Sequence, residues 1–151
     1  MVDEEAFRSA WSEIDALHCP FAKALLGGFA DCRYAQRIHL AERVGIGCRE
    51  AAVQATCVAL LERLRADARF ALHTTHASGA LPHALAMRLQ VGGVNGLRNL
   101  LDPAAGDRPV GDIAGLLGVA LARYGGVDAI PCASLVQAVA HFAPRRPRGS
   151  K

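Results

Sequence analysis

Four cysteines, Cys19, Cys32, Cys48 and Cys57, fall within the first sixty residues in the spacing C-x12-C-x15-C-x8-C, and a fifth, Cys132, stands far downstream. Thiolates are soft ligands that take zinc or iron–sulfur clusters, and in a reducing compartment clustered cysteines point to metal or catalysis before disulfides. The spacing contains no C-x2-C pair, which structural zinc sites usually carry. Ferredoxin-type clusters also use close pairs. What the pattern allows is a cluster held by cysteines from separate elements, behind an apolar wall of Phe21, Phe29 and Leu60. The expectation is an iron–sulfur cluster, 4Fe–4S ahead of 2Fe–2S, with zinc as the minor alternative. Unliganded buried cysteines and redox disulfides remain open readings.

Those ligands need elements to position them. The chain of 151 residues is 52% hydrophobic but only 5% aromatic, a balance of alanine and leucine that favours packed helices over strands. Asp3 caps a first expected helix whose stripe is Phe7, Trp11 and Ile14. Pro20 opens a second, PFAKALL, which Gly27 and Gly28 end. Asp31 caps a third, starting at Cys32, with Tyr34, Ile38 and Ala41 as its stripe and Gly45 as its stop. A fourth runs from about residue 50 to Leu72 with Val53, Cys57, Leu60, Leu61 and Leu64 on one face. LPHALAMRLQVGGVNGLRNLL reads as a helix broken or bent near Gly92 and Gly93. Two more, at about 111–123 and 131–142, complete an all-α single domain of six or seven helices over residues 1–144. A basic, disordered tail follows at 145–151.

On this reading Cys19, Cys32 and Cys48 stand at helix N-termini, where the dipole and unpaired amides lower a thiol's pKa and favour the ligating thiolate. Cys57 lies inside the fourth helix. Nine residues of continuous helix would put Cys48 about 13.5 Å from it along the axis. The quartet therefore requires GIGCRE to be a loop, with Gly45 and Gly47 permitting the turn and Glu42 accepting backbone N–H bonds to hold it.

CPFAKALL, the stretch from Cys32 through RYAQRIHLAERVGIGC, and the run from Cys57 through VALLERLRADARFAL resemble a group of small proteobacterial four-cysteine proteins. So do LPHALAMRLQVGG and YGGVDAIPCASLVQAVAHFAPRR, and the resemblance spans about residues 17–146. It implies the quartet Cys19, Cys32, Cys48 and Cys57, leaves Cys132 outside, and brings no activity with it. Cys132 reads as a small core residue.

Other chemistries find less support. His73, His76 and His83 lie in or beside one loop without a nearby carboxylate, and read as loop histidines; His18 is a candidate outer or alternative ligand. GGVNG lacks the Lys-Ser/Thr of a phosphate-binding loop, and close helix packing accounts for its glycines. No nucleophile–base arrangement is legible, so an enzyme is not expected. Arg145, Arg146, Arg148 and Lys151 hold four of the 17 basic residues, leaving 13 against 14 acidic ones. That near-neutral remainder argues against nucleic acid. With neither a signal peptide nor an apolar run of membrane-spanning length, the chain reads as cytoplasmic, without membrane insertion. The function expected is electron transfer or redox sensing beside a larger protein partner. The alternative is a cofactor-free helical adaptor with buried cysteines.

Overall fold

A computed structural model describes residues 17–72 and 81–143. The expected first helix, the loop with His73 and His76, and the basic tail lie outside the described residues. Along the chain come β1 (Leu17–His18), α1 (Ala22–Leu26), β2 (Ala35–Leu40), β3 (Arg43–Cys48), α2 (Ala51–Ala68), α3 (His83–Leu101), α4 (Ile113–Tyr124) and α5 (Cys132–His141), with a 3-10 turn at Val127–Ala129 before α5.

The fold is mixed, not all-α: among the described residues five α-helices accompany a three-stranded antiparallel sheet in the order β1-β3-β2. The third expected helix does not form. In its place β2 and β3 make a hairpin, with Ala35 opposite Cys48 and Leu40 opposite Arg43. Two features of residues 35–48 oppose a helix. Val44, Ile46 and Cys48 repeat with period two, as a strand with one covered face does. Gly45 and Gly47 interrupt them, each costing about 1 kcal/mol inside a helix. In the strand the same glycines are useful, since a Cβ on Gly47 would lie 3.2 Å from the Leu17 carbonyl oxygen and 3.3 Å from Ile38 Cδ1. The two-residue turn is Ala41–Glu42, and Ala41 takes φ +54°, a left-handed conformation that glycine or asparagine more often supplies.

The remaining helices enclose a core centred on α3. Expected to break at its glycines, α3 instead runs unbroken through them. A Cβ on Gly92 would meet Val139 Cα at 2.6 Å, one on Gly96 would meet Leu135 Cα at 2.9 Å, and one on Gly93 would meet Leu64 Cδ2 at 2.5 Å. The glycines let α5 and α2 approach closely, as the packing reading of GGVNG expected, and neighbouring contacts outweigh their low helix propensity. On α2 the buried stripe is Cys57, Leu60, Leu64 and Ala68, close to the face expected, with Val53 and Leu61 half-buried beside it. Helix α4 ends at Gly125, whose φ of +93° closes the last turn onto the Leu121 carbonyl. Among the described residues, no helix is long and apolar enough to cross a membrane.

Candidate metal centre

Three of the four cysteines reach one end of the sheet. Cys48 is the last residue of the central strand, opposite Leu17 on one side and Ala35 on the other. Cys19 continues β1, its amide donating to the Ile46 carbonyl at 2.9 Å. Cys32 lies in the turn before β2, its carbonyl accepting from the Ala35 amide at 3.1 Å. The fourth, Cys57, sits on the buried face of α2, which begins three residues after β3 ends.

The sheet and helix thus bring Cys19, Cys32, Cys48 and Cys57 to the lining of one cavity, closed further by Phe21, Ala35, Val53 and Ile113. Its volume is about 20 Å3, room for about one water molecule. Phe21 is part of this wall as expected. Phe29 instead packs edge-on against Phe142, with ring centroids 5.6 Å apart. Leu60 is buried in the core without lining the cavity. His18 lies in β1 and accepts a bond from Gln54 Nε2 at its carbonyl, 3.2 Å away, and is not part of the lining.

The electrostatics of the thiols differ from expectation. Burial pushes the Cys19 thiol up to about 11, against a bond from the Phe21 amide and with further upward pressure from Cys32 and Cys48. Burial also raises Cys57 to about 12, and the other three cysteines add to it. Helix starts do not set these values. Cys32 precedes a strand, Cys48 closes one, and α1 begins three residues after Cys19. Withdrawal from water penalises the thiolate, so in the protein alone these two sulfurs hold their protons. A bound cation reverses that preference by neutralising the charge. The Cys48 Sγ donates to the Glu50 carbonyl at 3.3 Å.

The donor set is four sulfurs with an apolar surround. One backbone amide, that of Phe21, is already directed at a sulfur, the kind of bond that tunes thiolate-held clusters. Among the described residues, no three His, Cys, Asp or Glu side chains converge as ligands of one ion would. Zinc–sulfur bonds of 2.3 Å require sulfurs about 3.8 Å apart, so this arrangement fits a single zinc poorly. An iron–sulfur cluster would be held by the same four thiolates. The donors fit such a group in chemistry, and the small cavity means that the walls must part to admit it.

Cys48 and Cys57 can share this cavity because Cys48 belongs to a strand and not to the helix of Cys57. The geometric requirement is met, though by a hairpin in place of the expected loop. Glu42 has no part in holding Cys48: it occupies the hairpin turn, at the opposite end of β3. Cys132 is buried at the start of α5, its thiol raised by burial, and is not part of the cavity lining. His83 opens α3, where its Nδ1 is 3.1 Å from Lys23 Nζ.

Sequence reasoning missed Arg33, Arg49 and Asp112. Asp112 accepts from the Arg33 amide at 3.0 Å and from Arg33 Nε at 2.7 Å. Arg49 Nη2 donates to the Arg33 carbonyl at 2.6 Å. Asp112 is 79 residues from Arg33, so no local pattern links them. No protein-family model, curated protein or solved structure matches this chain.

Proposed function

We propose that this chain binds an iron–sulfur cluster on Cys19, Cys32, Cys48 and Cys57 and works in electron transfer or redox sensing with a larger protein partner. The observation that carries the reading is the meeting of four thiols, from four separated stretches of chain, around one apolar cavity. The 4Fe–4S form is preferred over 2Fe–2S. When bound, the cluster supplies one-electron chemistry. The chain supplies the four thiolates, the Phe21 amide at the Cys19 sulfur, and the walls that keep water away. Potential would be tuned by those hydrogen bonds and by burial. A cytoplasmic setting, where thiols stay reduced, suits such a site.

The test is anaerobic reconstitution of the full chain with ferrous iron, sulfide and a thiol reductant. The reading expects a brown protein with matched iron and sulfide, and the iron-to-protein ratio decides between the two cluster forms. Cys19→Ala and Cys57→Ala lose the colour, while Cys132→Ala keeps it. A colourless chain without iron refutes the reading. It would favour a cofactor-free adaptor with buried cysteines, an alternative supported by the small cavity.

A further inference from the structure

We infer that Arg33 and Asp112 form a positioning pair that holds Cys32 against the thiol cavity and so governs how long a bound cluster is retained. The inference rests on the cluster reading above. It begins from a difference among the four cysteines. Cys48 ends the central strand and Cys57 lies within a helix of 18 residues. Cys19 extends β1 through its bond to Ile46. Cys32, like Cys19, belongs to neither helix nor strand. Its amide and carbonyl bond locally, to Asp31 Oδ1 at 2.8 Å and to the Ala35 amide at 3.1 Å, so its place in the wider fold depends on bonds made by its neighbours.

Those neighbours are fastened to a distant segment. On one side of Cys32, the Asp31 amide donates to the Val110 carbonyl at 2.9 Å, and the Asp31 carbonyl accepts from the Ile113 amide at 2.9 Å. Ala30 and Val110 form a parallel bridge. On the other side, Arg33 meets the Asp112 carboxylate through both its amide and its Nε. The two carboxylate oxygens thus take one backbone and one side-chain donor from the residue that follows the ligand. Such two-point contact fixes orientation as well as distance. Asp112 immediately precedes α4, and its neighbour Ile113 is itself a wall of the cavity. One short segment, Val110–Ile113, therefore shapes the cavity wall and holds the turn that carries the Cys32 thiol.

A cluster would require the cavity to widen, and the Cys32 turn, outside regular structure like Cys19, is the part of the lining that the Arg33–Asp112 pair fastens. With the pair in place, the Cys32 sulfur would be held at the cavity lining. Outer partners of metal ligands characteristically alter affinity by about 10- to 100-fold. The pair is exposed at Arg33, whose side chain is 62% accessible, so its value lies in geometry more than in attraction between charges.

The experiment compares reconstituted wild-type chain with Arg33→Ala and Asp112→Asn, the latter preserving the shape of the side chain. A ferrous chelator is added anaerobically, and loss of the visible absorption is followed over time. Arg63→Ala, which removes a bond to the Val127 carbonyl away from the cavity, reports the effect of general loosening. The stability of each metal-free variant is measured alongside. The inference expects Arg33→Ala and Asp112→Asn to assemble the cluster and lose it about 10- to 100-fold faster, while Arg63→Ala loses it at the wild-type rate. Wild-type rates in the first two variants overturn it, as does equal acceleration in Arg63→Ala. A wild-type chain that takes up no iron refutes the cluster reading itself, and the inference falls with it.

Discussion

Raising the pH of the metal-free protein should destabilise it through Cys19 and Cys57, beyond what its other groups contribute. Both thiols have folded-state values, about 11 and about 12, above the ordinary 9.0. A group whose pKa is raised on folding contributes stability that is complete below the unfolded value and lost as pH climbs through the folded one. The relevant window therefore opens near pH 9 and extends to about 12. At pH 11 an unfolded thiol is almost wholly ionised, whereas Cys19 is half ionised and Cys57 mostly protonated. The linkage gives a loss of about 2 kcal/mol for Cys19 and about 3 kcal/mol for Cys57 between pH 8 and pH 11. Lysines and tyrosines also titrate there, so the comparison must cancel them. Urea unfolding of wild type and Cys57→Ala at both pH values, with a phosphine reductant present, does so. Wild type is expected to lose about 3 kcal/mol more than Cys57→Ala over that interval. Equal losses would refute the argument that burial holds the Cys57 thiol in its protonated form. If the proposed cluster binds, the same physics makes loading acid-sensitive, because each thiolate ligand is formed by releasing a proton.

Three further predictions concern the scaffold. Gly92→Ala should destabilise by about 2 kcal/mol, because a Cβ 2.6 Å from Val139 Cα forces α3 and α5 apart and overpacking outweighs the helix-propensity gain. Gly118→Ala on α4, where a Cβ meets nothing within 4 Å, should instead stabilise by about 1 kcal/mol, so thermal midpoints moving the same way in both variants would contradict the packing account. Ala41→Gly should stabilise by about 1 kcal/mol by relieving the positive φ in the hairpin turn, and an unchanged urea midpoint would show that the turn carries no such strain.

The helical half of the molecule was largely readable because its apolar spacing is strong. Cys57, Leu60 and Leu64 mark the buried face of α2 in sequence as they do in the structure. The glycines of α3 were correctly associated with close packing but mistaken for a break, since their partners Leu64, Leu135 and Val139 lie far away in the chain. The hairpin was missed for a local reason. Its turn is Ala41–Glu42, without the Asn-Gly or Asp-Gly pair that advertises a two-residue turn. Tyr34, Ile38 and Ala41 also mimic a helical stripe, while the alternation that competes with it rests on Val44, Ile46 and Cys48. That four cysteines could share a site was legible from type and spacing, and the structure places them in the lining of one cavity. The way they assemble was not legible, because Cys19, Cys32 and Cys48 meet through strand pairing between residues distant in sequence.

Replacing the expected helix by a hairpin changes the logic of the centre. Three thiols at helix starts would have been activated in advance by dipoles and free amides. At the end of a sheet, packed against a helix, Cys19 is instead withdrawn from water and holds its proton, as Cys57 does on α2. On the proposed cluster reading, thiolate character comes from the metal, since burial alone disfavours it. On that same reading, assembly couples proton release to ligand binding and requires the walls of a cavity of about 20 Å3 to part. Cys19 and Cys32 both stand outside regular structure, and the turn bearing Cys32 is fastened by a distant segment. Its bonds to Asp112 and to the backbone of Val110 and Ile113 link the opening of the site to the α4 end of the protein, a connection that four thiols grouped at helix starts would not have required.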